Sequence, residues 1–87
     1  MKTEKVVLKN ETGLHARPAS ELTKLASTFK CNINLVAGEK VFNPKSILAV
    51  MSAGVRVNTE IEIQCDGEDE EQALQALVEA FNNKFGE

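Results

Sequence analysis

The sequence predicts an α+β fold: a two-layer open-faced sandwich in which three helices cover one face of a four-stranded antiparallel sheet, in the order βαββαβα. Two observations carry this. Short strand-like segments alternate with stretches whose apolar residues recur at helical spacing. The last strand-like segment, Glu60-Ile61-Glu62-Ile63-Gln64-Cys65, alternates strictly, which gives a sheet one buried and one wet face, the mark of antiparallel pairing. At 87 residues, without linker, repeat or low-complexity tract, the expectation is one domain spanning 1–87.

The elements follow in order. Glu4 to Lys9, with Val6, Val7 and Leu8, reads as the first strand. Residues 16 to 28 read as a helix with Ala19, Leu22, Ala26 and Phe29 near one face; Pro18 is tolerated because a first-turn N–H has no partner to lose. Asn32 to Val36 is a strand, Ala37-Gly38-Glu39 a turn and Lys40 to Phe42 the returning strand of a hairpin. Asn43-Pro44 breaks that strand, and Ser46 caps a short helix over Ile47 to Ala53 that stops at Gly54. After the strand at 60–65, Asp69-Glu70-Glu71-Gln72 fits a capping-box start. Leu74, Leu77, Val78, Phe81 and Phe85 then follow at helical spacing as core.

Composition narrows the function. The net charge is −3, there is no Trp or Tyr, and the four Phe are not interleaved with basic residues, so nucleic acid is a poor partner. No apolar run approaches the roughly 20 residues of a membrane span, and the N-terminus does not read as a signal peptide. The expectation is a cytoplasmic monomer with no membrane insertion. Cys31 and Cys65, far apart in sequence, are read as reduced thiols. With one histidine, no convincing metal set exists, and no cofactor is called for. The acidic run Asp66-Gly67-Glu68-Asp69-Glu70-Glu71 is read as a solvated helix start.

The chemistry concentrates in Gly13-Leu14-His15-Ala16-Arg17-Pro18-Ala19-Ser20, which holds the only histidine. It reads as a loop turning into a helix, with His15 at the entrance. Amides at a helix start have no intrahelical partners, and the helix dipole adds positive potential there. That potential favours an uncharged, nucleophilic ring and stabilises a dianionic group placed on it. The Arg17 guanidinium matches the geometry of phosphoryl oxygens, and Pro18 stiffens the helix entrance. The arrangement suits a histidine that accepts a phosphoryl group and hands it on.

These residues resemble the active-site motif of the histidine-containing phosphocarriers (HPr) of the bacterial phosphoenolpyruvate-dependent sugar phosphotransferase system. A second segment, Pro44-Lys45-Ser46-Ile47-Leu48-Ala49-Val50-Met51-Ser52-Ala53-Gly54, is similar to that family's regulatory serine segment. The resemblance covers essentially the whole chain. It departs from the family pattern at Pro44, Ala49, Ala53 and the glycine-free connection Arg56-Val57-Asn58-Thr59, all in or just after the second segment and none in the His15 motif.

The resemblance implies that enzyme I phosphorylates His15 at Nδ1, that the Ala16 and Arg17 backbone N–H groups face the phosphate, and that the group passes to the A components of sugar permeases. It further implies that Ser46 is a target of HPr kinase/phosphorylase and that the serine-phosphorylated form binds a LacI-type catabolite-control regulator. The apolar Ile47, Leu48 and Met51, too many for a helix of barely two turns to bury, form a docking patch, with Lys24 and Lys45 as its basic rim. The chain is read as a carrier, not a free-standing enzyme. The competing class is a regulatory binding module acting through phospho-Ser46; a small ligand-binding domain with a fortuitous motif lacks any second phosphate loop.

Overall fold

The computed structural model describes residues 1–87. Strand β1 is Lys2–Val7, helix α1 Ala16–Ser27, strands β2 and β3 Asn32–Ala37 and Lys40–Phe42, helix α2 Ile47–Ala53, strand β4 Glu60–Asp66 and helix α3 Glu70–Asn82; a 3-10 turn, Lys84–Gly86, follows. The four strands lie in the order β1-β4-β2-β3 and every pairing is antiparallel. The three helices cover one face, as the pattern predicted.

Register follows burial. Ile61 sits opposite Val6, and Ile63 opposite both Glu4 and Leu35. Ile61, Ile63 and Cys65 point into the core with Ile33 and Leu35. Slipping β4 by one residue would turn all three outward, so the alternation fixes the pairing. From the helical layer, Ala19, Leu22 and Ala26 of α1, Val50 and Ala53 of α2, and Ala73, Leu77 and Phe81 of α3 meet them. Glu62 and Gln64, expected in water, are half-buried on the open face, where the Gln64 amide donates to the Glu62 carboxylate at 3.1 Å.

Three local expectations need correction. β1 begins two residues earlier than its apolar run suggests, because pairing with β4 decides its length: Lys2 lies opposite Cys65 and Val7 opposite Glu60. Leu8, just beyond, is held instead by the connection before β4, donating to Thr59 O at 3.0 Å and accepting from Asn58 N at 2.7 Å. That connection needs a left-handed residue and has one without glycine, since Asn58 takes φ +68°.

The capping box at α3 does not form. Asp69 occupies the N-cap position, but its carboxylate turns to the α1–β2 connection and accepts from Lys30 N at 2.8 Å and Cys31 N at 2.9 Å. These bonds hold its carboxyl below the ordinary carboxylate range. Glu70 in turn accepts from Gly67 N at 3.1 Å and lies 3.5 Å from the N-terminal ammonium. The acidic run is thus a fastening as well as a solvated surface. Finally, Phe85 is core but not part of α3: it is buried from the 3-10 turn at φ +53°, with its ring edge-on to Phe81 at 4.9 Å.

The two cysteines are free, buried and close in space. Cys31 precedes β2, whose Ile33 pairs with Cys65, so the two cysteines are diagonal neighbours across the β2–β4 pair. Burial, then the neighbouring Cys31, pushes the Cys65 thiol up to about 12.

Candidate functional site

The site is built from the loop between β1 and α1, and the loop itself is anchored at three points. Asn10, almost fully buried, donates from Nδ2 to Lys84 O at 2.9 Å and to Glu87 Oε1 at 2.6 Å. Its backbone carbonyl accepts from Gly13 N at 3.0 Å. Leu14 then drops its side chain into the core while its N–H donates to Val55 O at 3.0 Å. Gly13 makes this approach possible: its φ is +76°, and a Cβ there would lie 2.5 Å from Val55 O. Nothing in the sequence distinguished Asn10 from any polar loop residue; its role depends on the chain's far end.

Held this way, His15 becomes the N-cap residue of α1, in extended backbone at φ −110° and ψ −169°. Its carbonyl accepts the first helical bond, from Ala19 N at 2.9 Å. Its ring is exposed and makes no capping hydrogen bond. The Ala16 and Arg17 amides, in the opening turn, have no partner within the chain, and Pro18 has no N–H to place. An exposed ring nitrogen beside two open amides at the positive end of a helix of 12 residues is an arrangement that can receive and hold an anion.

Beside the ring lies an open cleft of about 350 Å³, bounded by the 11–15 loop on one side and Met51 with Gly54-Val55-Arg56-Val57 on the other. Arg17 is exposed and unpaired but does not line this cleft; Arg56, which sequence reasoning did not single out as a site residue, does. No cluster of three histidine, cysteine or carboxylate side chains could hold a metal.

The second segment is placed as its sequence suggested. Ser46 is the exposed N-cap of α2, its Oγ accepting from Ala49 N at 3.2 Å, and Gly54 ends the helix at φ +59°. Ile47, Leu48 and Met51 are exposed at 44%, 75% and 46%, so the short helix does leave its apolar face uncovered. Met51 reaches the His15 cleft, which makes patch and ring one surface. Lys24 is exposed in the last turn of α1. Lys45 is not a free rim charge: its half-buried side chain donates from Nζ to Phe29 O and Cys31 O, both at 2.8 Å, pinning the α1–β2 connection.

Comparison with known proteins agrees with this geometry. The family model for the PTS HPr component phosphorylation site matches residues 2–83. The phosphocarrier protein HPr of Mycoplasma capricolum subsp. capricolum is 51% identical over 75 residues, which span 86% of this chain and 84% of that protein. The crystal structure of HPr-C-His from Thermoanaerobacter tengcongensis superposes with a TM-score of 0.95 at 42% identity, covering 100% of this chain and 98% of the other. A catabolite repression protein of Bacillus subtilis, Crh, whose crystal structure is a dimer with a swapped domain, matches with a TM-score of 0.76 at 36% identity over 97% of each chain. With the fold, the histidine at the helix start and these relatives in agreement, the chain belongs to the HPr family of phosphocarriers of the phosphotransferase system.

Proposed function

We propose that this chain accepts a phosphoryl group on Nδ1 of His15 from phosphorylated enzyme I and passes it to the A components of sugar permeases. The observation that carries the reading is the exposed imidazole at the start of α1, next to the unpartnered amides of Ala16 and Arg17. On acceptance the P–N bond of the donor breaks as the P–Nδ1 bond forms on His15; on delivery that P–Nδ1 bond breaks as the bond to the acceptor forms, and in both the charge is spread over three equatorial oxygens. The open amides and the Arg17 guanidinium stabilise that charge. The chain ends each cycle as it began only by meeting two partners, so it acts as a carrier and not as an enzyme with its own turnover. No helix is long and apolar enough to cross a membrane, in keeping with a cytoplasmic carrier.

The test is direct. Incubation with phosphoenolpyruvate and enzyme I is expected to place an acid-labile phosphate on the wild-type chain and none on His15→Ala. An unlabelled wild type, or equal label on the variant, refutes the assignment.

A second reading concerns Ser46, whose exposed hydroxyl lies on the patch-bearing helix. Phosphorylation there by HPr kinase/phosphorylase would place negative charge beside Ile47, Leu48 and Met51, repelling acidic partner surfaces and favouring a LacI-type regulator. Similarity to Crh favours keeping this role in view. Ser46→Asp is expected to slow labelling of His15 by enzyme I; an unchanged rate removes this reading.

A further inference from the structure

We propose that Arg56 is a second phosphoryl-binding residue, a guanidinium that the loop after α2 supplies to the group carried by His15. This rests on His15 being the phosphorylated residue. Three observations place it there. Arg56 and His15 line the same cleft of about 350 Å³, which Arg17 does not. The two sides of that cleft are bonded together at the backbone: Leu14 N donates to Val55 O at 3.0 Å, and the Arg56 Cα lies 3.4 Å from the Cβ position of Gly13. The distance between the bases of the two side chains is therefore set by the fold and not by loop drift. The Arg56 side chain is exposed and has neither an ion pair nor a hydrogen bond within the chain, so no internal partner must be given up to meet an anion. Glu11, the cleft's one carboxylate, pairs with neither His15 nor Arg56.

A phosphoryl group on the ring brings two negative charges to the edge of this cleft. A guanidinium answers them with two parallel N–H donors, a match that an ammonium lacks. In the transfer itself Arg56 gives up no proton. It donates hydrogen bonds to oxygens that gain charge as the bond to the donor breaks and the bond to the ring nitrogen forms. Arg17 and Arg56 thus come from two different elements, so neither alone restrains the group.

Phosphoramidate separates this role from partner docking, because it phosphorylates histidine without a protein donor. Its P–N bond breaks, the ring nitrogen takes the phosphoryl group, and ammonia leaves with a proton from water. Wild type, Arg56→Lys and Arg56→Ala are each labelled with phosphoramidate, and the phosphorus resonance of each product is followed against pH. Labelling of the wild type with enzyme I and phosphoenolpyruvate runs in parallel and tests the His15 assignment alone.

In Arg56→Ala the pH at which the phosphoryl group takes up its proton is expected to rise by about 0.5–1 unit, because an opposite charge no longer favours the dianion. The labelling rate is expected to fall about tenfold, with Arg56→Lys between. An unchanged phosphorus titration with an unchanged phosphoramidate rate overturns the proposal. A defect seen only with enzyme I, as a raised KM that salt erases, overturns it too and assigns Arg56 to docking. A wild type labelled by neither donor sinks the His15 assignment itself, and this proposal with it.

Discussion

Replacing Gly13 with alanine should damage the protein far more than its position in a connecting loop suggests. The backbone there sits at φ +76°, where a side chain costs about 1–2 kcal/mol. The added Cβ would also lie 2.5 Å from Val55 O, against an ordinary contact of 3.4 Å or more. That oxygen is the acceptor of Leu14 N, so the two chains can part only by weakening a bond worth about 1 kcal/mol. Conformation and contact together come to about 2–3 kcal/mol. Gly38 is the internal control, since it has φ +63° and nothing within 4 Å of its Cβ position. Gly38→Ala should lose only the conformational part, about 1–2 kcal/mol. Equilibrium urea unfolding of both variants measures the difference as a shift in midpoint at constant m. If the two alanines lower stability equally, the close approach at Val55 is not what Gly13 serves, and the account of how the His15 loop is anchored is wrong. If the approach matters, Gly13→Ala also slows phosphoryl acceptance, because the loop that carries the ring has moved, while Gly38→Ala leaves it alone.

Other outcomes follow from the same contacts. Lys45→Met should cost about 1–3 kcal/mol in urea unfolding, since two carbonyls, Phe29 O and Cys31 O, lose their donor, yet leave the labelling rate of His15 little changed; a large loss of rate with full stability would restore Lys45 to the docking rim. Asp69 has a lowered folded pKa, so the native state binds fewer protons than the unfolded one as pH falls below about 4. Its contribution is complete above that range and lost toward lower pH. Melting temperatures between pH 7 and pH 2.5 should therefore fall less steeply in Asp69→Asn than in wild type, and parallel curves would contradict this. Cys65 has a raised pKa of about 12, so the native state keeps a proton that the unfolded chain releases near pH 9, and stability should decline between those values. A thiol reagent at pH 8 should find both buried cysteines slow in the native protein and fast in urea; rapid native labelling would show that they are not enclosed.

Much of the site was legible because its signals are local. A histidine followed by a first-turn proline and an apolar helical stripe marks a helix start, and backbone geometry alone then leaves the Ala16 and Arg17 amides open. Ser46 and Gly54 bracket α2 for the same kind of reason. The strand alternation at 60–65 placed the sheet's buried face, and seven residues around Ile47 could not hide three large apolar side chains. Each of these depends on neighbours within one turn of helix or one strand.

What failed depended on distance along the chain. Asp69 has the sequence of a helix cap, but two unpaired amides at Lys30 and Cys31, brought close by the sheet, compete for its carboxylate and win. Lys45 looks like a surface charge until two carbonyls of the α1–β2 connection stand within its reach. Asn10 and Arg56 carry no sequence mark at all. One is buried by the C-terminal turn, and the other is brought to the cleft that His15 lines by a backbone contact between residues 14 and 55. The fold class, the histidine at the helix start and the exposed apolar helix could be read from the residues alone, because periodicity and capping are short-range rules. Which charges stay free, and that Arg56 lines the His15 cleft, depended on folding, because a polar group's partner is whatever the fold brings within hydrogen-bond reach.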